Sequence, residues 1–149
     1  MSRPPSEELL AFLSAYAPPI TPLFLATRAR VLDAAPDANE LVYDAYNAVS
    51  CAYTFSERLK EGFLHVAAYA KHVNLGFNQG ATLDDPLGLL RGSGASIRHV
   101  RIQREEDLGQ SGLDELLTAA VEQGLARVEQ LPSAPRAIVM PTTGGRRRP

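Results

Sequence analysis

The chain has no tryptophan, a single cysteine and no apolar run long enough to matter to a membrane. The longest such runs, residues 9–13 and 63–70, fall far short of the roughly 20 residues a membrane helix needs. Cys51 has no second cysteine to pair with, which excludes an internal disulfide and fits a reducing compartment. Glu7 and Glu8 interrupt the N-terminus before a secretion-type apolar stretch can develop. Together these absences place the expected location in the cytoplasm. Charge of either sign is also in short supply as a net quantity. A formal charge of −2 offers no broad footprint for phosphates, so nucleic acid is not an expected partner. The exception, Arg146-Arg147-Arg148, reads as part of a solvated tail.

What is present is an ordinary globular composition, 45% hydrophobic and 21% charged, over 149 residues. That length suits one domain burying roughly 70% of its unfolded surface. Ser6 with Glu7 and Glu8 starts a helix, carried on by Leu9, Leu10, Phe12, Leu13 and Tyr16 and stopped by Pro18-Pro19. Thr21-Pro22 restarts one, with Leu23, Phe24, Thr27, Val31 and Ala34 on its buried face and Pro36 at its end. Residues 41–47 and 48–54, rich in Val and Tyr, predict two strands or one long bent strand. Clearer strands follow at 62–69 and 72–78, joined near Ala70-Lys71. A short helix is predicted over 83–91, with Asp84 or Asp85 capping it before Pro86, and a last strand over 97–102. Ser111 caps a final helix through Leu113, Leu116, Leu117, Ala120, Val121, Leu125 and Val128. Residues 131–149 are Pro-, Gly-, Thr- and Arg-rich and read as a flexible tail after a 1–130 domain. The expected fold is therefore α+β: an antiparallel sheet of about five strands, with an N-terminal helical hairpin and a C-terminal helix on one face.

Strand alternation then nominates a site. Val73, Leu75 and Phe77 share one face, and His72, Asn74, Gly76 and Asn78 the other. Val100 and Ile102 likewise oppose His99 and Arg101. If the helices cover the apolar side, Tyr43, His72, Asn74, His99 and Arg101 form a polar face able to bind a small ligand or a protein surface. A metal would need a further ligand, such as Asp44, about 2 Å from the ion. Gly92-Ser93-Gly94, flanked by Arg91, Arg98 and Arg101, could turn backbone N–H groups toward an anion, or simply supply positive φ in a turn. It lacks the strand-loop-helix order of phosphate loops. Cys51 sits within a predicted strand as packing. No G-x-S-x-G turn or H-E-x-x-H helix is present, and Asp84-Asp85 and Glu105-Glu106-Asp107 read as solvated acids. A binding domain is thus preferred to an enzyme, with no cofactor expected. An uncovered sheet face or edge strand can also pair with its own copy, which leaves a homodimer open.

The stretches LVYDAYNAVS at 41–50, HVNLGFNQGATLDDPLGLLRGSG at 72–94 and IRHVRI at 97–102 resemble the YdhG-like family of bacterial domains of unknown function. The likeness covers roughly residues 6–130. It implies an antiparallel sheet with helices on one side, distantly similar to frataxin, and through some relatives described as iron chaperones it implies metal handling as an alternative role. Ala95 stands where family members often carry lysine after the second loop glycine. Only Glu7 and Glu8 represent the acidic first helix on which frataxin-type iron binding relies.

Overall fold

A computed structural model describes residues 3–44 and 48–141. The elements run α1 (Glu7–Leu13), α2 (Ile20–Ala34), β1 (Asn39–Asp44), β2 (Val49–Thr54), β3 (Leu64–Ala68), β4 (Val73–Phe77), β5 (Arg98–Ile102), α3 (Leu113–Leu125) and β6 (Ala137–Val139). The six strands form one sheet in the order β5-β4-β3-β2-β1-β6. Every pairing is antiparallel except that of β6, which lies parallel to β1. The α+β expectation holds, with one more strand than expected and a mixed rather than purely antiparallel sheet.

Local chemistry explains the helices. The Ser6 hydroxyl accepts from the Leu9 N–H at 3.1 Å, capping α1, whose first turn carries Glu7 and Glu8. α2 begins at Ile20, so Pro22 occupies its third position rather than its first; that N–H is still one with no intrahelical partner, and proline costs little there. Thr27, buried in α2, donates its hydroxyl to the Leu23 carbonyl at 2.9 Å. α3 starts after Gly112, whose φ of 92° is left-handed, so glycine and not the expected Ser111 holds the cap position. Gly124 lets α3 approach the sheet side: an added Cβ would lie 2.3 Å from Cδ2 of Phe63. That ring is itself stacked on Phe55 at 4.7 Å.

The core lies between these helices and one face of the sheet. Val42, Val49, Cys51, Tyr53, Leu64, Val66, Ala68, Val73, Leu75, Phe77, Val100 and Ile102 alternate along five strands to build it. Val73, Leu75 and Phe77 are fully buried, each worth about 1.5–3 kcal/mol of transfer free energy. A charged group is sunk into the same layer. The Arg28 guanidinium, 3% exposed, donates to both oxygens of the fully buried Glu40 carboxylate at 2.6 and 3.0 Å. Tyr53 donates its hydroxyl to Glu40 at 2.7 Å. Arg28 also donates to the carbonyls of Arg3 and Pro4, and Arg3 to those of Pro36 and Ala38, so the N-terminal arm is tied across α2 and β1. Burial works against the Arg28 charge, but the Glu40 bonds and charge outweigh it and hold its pKa above the ordinary value.

Three expectations need correction. Residues 83–91 form no α-helix. Gly88 takes φ 68°, and the Asp85 carboxylate accepts from the backbone N–H groups of Leu89 and Leu90 at 2.9 Å each, replacing helical partners with a side-chain turn. Residues 137–139, inside the stretch read as a tail, add β6: Asn39 and Glu40 exchange hydrogen bonds with Arg136, and the Met140 N–H donates to Val42. β1 spans Asn39–Asp44, so the expected strand over 41–47 starts earlier, and its Tyr46 and Asn47 lie outside the described residues, as do Arg146-Arg147-Arg148.

Candidate functional site on the reverse face of the sheet

Register places the nominated residues. Partner by partner, Tyr43, Ser50, Ala67, Asn74 and Arg101 form one row across β1 to β5, on the side away from the helices. The next row is Leu41, Ala52, His65, Gly76 and His99. Asn74 and Arg101 are thus direct cross-strand partners, and His99 lies one row away. Tyr43 shares the row but stands three strands from Asn74, about 14 Å at ordinary strand spacing. Small residues fill the interval: Ser50, Ala52 and Ala67, all buried.

His72 needs adjusting. It precedes β4 and closes the hairpin at Ala70-Lys71, accepting at its carbonyl from the Tyr69 N–H at 2.9 Å. Its ring stacks on Tyr69, centroids 5.1 Å apart. His72 stands four positions from Gly76, the partner of His99, so the two backbones lie about 14 Å apart along the strands with the Asn74–Arg101 row between them. They share a face, on rows that are not adjacent.

A third histidine, not nominated from the sequence, completes the second row. His65 projects from β3 across Gly76: a Cβ on residue 76 would fall 1.9 Å from the His65 Nε2. Only a residue without a side chain admits the ring in that position. His65 Nδ1 donates to the Asn78 Oδ1 at 2.8 Å, which leaves the Nε2 lone pair as an acceptor over Gly76, on the side of His99. The alternation that places Asn74 places His65 too, with Leu64, Val66 and Ala68 inward and His65 and Ala67 outward.

The electrostatics of this face are one-sided. Its strand residues include no Asp or Glu, while Arg101 lies on it and Arg91 joins its edge by exchanging backbone hydrogen bonds with His99 at 2.8 and 3.0 Å. Burial lowers the His65 pKa, partly offset by the Asn78 bond. Burial, then Arg101 and His99, lower that of His72, with the Asn74 side chain opposing; burial, then Arg101, Arg91 and His65, lower that of His99. Burial raises the Tyr43 phenol, with Ser50 opposing. One polar atom is left over: the Asn74 Oδ1 is buried and, although the neighbouring His72 ring feels it, accepts no hydrogen bond of direct geometry.

Other candidates are accounted for. Cys51 is buried, and burial followed by the nearby Glu40 pushes its thiol pKa well up, away from nucleophilic use. At the glycine loop, Gly92 has φ 120°, as a turn requires, and Arg98 donates to the Gly94 and Ile97 carbonyls, so the loop holds its own guanidinium. Among the described residues no three His, Cys, Asp or Glu side chains are grouped to hold a metal, and no helix is long and apolar enough to cross a membrane. No family model, curated protein or solved structure matches this chain.

Proposed function

We propose that this chain is a non-catalytic binding domain, of the YdhG-like kind its sequence resembles, holding a small polar ligand on the reverse face around Tyr43, His72, Asn74, His99 and Arg101. The observation carrying this reading is the orphaned Asn74 Oδ1. A buried acceptor without a donor costs about 1–3 kcal/mol, and a ligand that supplies the donor recovers it. That oxygen is closed to solvent, so binding displaces a neighbouring side chain, while the sheet backbone holds the remaining groups in place and limits the ordering cost.

The test is the double variant His72→Ala/His99→Ala, examined by amide shift mapping with glycerol, acetamide and glycine. Both side chains are partly exposed on the face, so thermal unfolding should stay cooperative and close to that of the parent. Fragment-induced shifts on β4 and β5 should disappear. Unfolding of the variant, or undiminished shifts, would refute the assignment.

A further inference from the structure

The two rows sort the face by chemistry. Over β4 lie two acceptors without a partner in the fold: the Asn74 Oδ1, buried so that a ligand meets it only by displacing a neighbouring side chain, and the His65 Nε2, whose tautomer is set by Asn78 and whose ring lies over Gly76. They come from successive rows, about 7 Å apart along the strand. Over β5, one strand spacing away at about 4.8 Å, lie Arg101, His99 and the adjoining Arg91. No described carboxylate pairs with the Arg101 or Arg91 side chain, whereas Arg28, Arg30, Arg58 and Arg136 each have one.

From this juxtaposition, and resting on the binding reading above, we infer that the ligand is a small anion carrying its own hydrogen-bond donor, of the hydroxy acid or amino acid class. Its carboxylate lies along β5 against Arg101 and Arg91, and its hydroxyl or ammonium group reaches back over β4 to Asn74 and His65. A purely cationic ligand meets uncompensated guanidinium groups. A donorless anion leaves the Asn74 acceptor orphaned. The cavity of about 440 Å³ beside Pro86, Leu87, Leu89 and Leu116 is less suited, being rimmed by Asp84 and Glu115, the wrong sign for an anion.

The matched series L-lactate, propionate and propane-1,2-diol separates the two halves of the inference. Each is titrated at constant ionic strength into isotopically labelled chain while the histidine ring and β4–β5 amide signals are followed. Lactate should bind about fivefold more tightly than propionate, the worth of one recovered hydrogen bond, and the neutral diol should bind more weakly than lactate. Asn74→Ala should bring lactate down to propionate. Arg101→Gln should weaken both acids about threefold and leave folding intact, since the side chain is exposed. Diol shifts equal to those of lactate would overturn the anion half, and propionate equal to lactate the donor half. Silence from all three while glycerol or acetamide still binds overturns the inference alone; silence from every probe overturns the binding reading with it.

Discussion

Arg28→Met is the substitution whose cost can be worked most directly from the structure. It removes the guanidinium that gives Glu40 two hydrogen bonds and an opposite charge, while the carboxylate stays fully buried with only the Tyr53 hydroxyl as a donor from the network. Breaking a buried pair from one side costs about 3–5 kcal/mol, because the remaining charge is uncompensated. The Arg3 and Pro4 carbonyls lose their donor as well, so the N-terminal arm loosens together with the core. With a urea m-value of about 2 kcal/mol/M, the midpoint should fall by about 1.5–2.5 M with little change in slope. This is a large share of the 5–15 kcal/mol typical of a domain. Arg28→Met/Glu40→Leu/Tyr53→Phe removes the polar cluster as a unit, and should recover at least half of the loss. A loss below about 1 kcal/mol in the single variant, or a triple variant less stable than the single one, would refute the reasoning.

Two further outcomes follow from the reverse face. His65 has its folded pKa lowered by burial, so the stability it supports is present above the ordinary histidine pKa of about 6.5 and is lost as pH falls through the lower folded value. Urea midpoints should therefore drop between pH 7.5 and 5, and His65→Gln should flatten that slope; an unchanged slope assigns it elsewhere. Gly76→Ala should drive the His65 ring off β4 and break its bond to Asn78, at a cost of about 1–3 kcal/mol, seen as a displaced His65 ring signal. An unmoved signal with full stability would show that the ring does not lie over residue 76.

The sheet's two-sidedness was legible from alternation alone. Val73, Leu75 and Phe77 against Asn74, and Val100 and Ile102 against His99 and Arg101, fell on the expected sides because period 2 is a local property. Which residues meet across strands is not local. His72 looked like a partner for His99, yet the two-residue turn at Ala70-Lys71 sets β4 so that Gly76 faces His99, and the ring reaching that position comes from His65 on β3. Leu83, Leu87 and Leu90 have helical spacing, but Gly88 at positive φ and the Asp85 side-chain bonds take the chain elsewhere. β6 is three residues between prolines, too short to carry a period, and it forms because Asn39, Glu40 and Val42 offer an unpaired edge. The Arg28–Glu40 pair was invisible for the same reason: nothing local tells a helical arginine and a strand glutamate twelve positions on that they will be buried together.

The central claim is that the sheet face turned away from the helices is where this chain holds its ligand. A crystal structure of the chain soaked with L-lactate tests it most directly. Density should lie over Asn74, with the carboxylate toward Arg101 and the hydroxyl within hydrogen-bond distance of the Asn74 Oδ1. Density confined to the cavity beside Pro86 and Leu116, with the Asn74–Arg101 row bare, would contradict it.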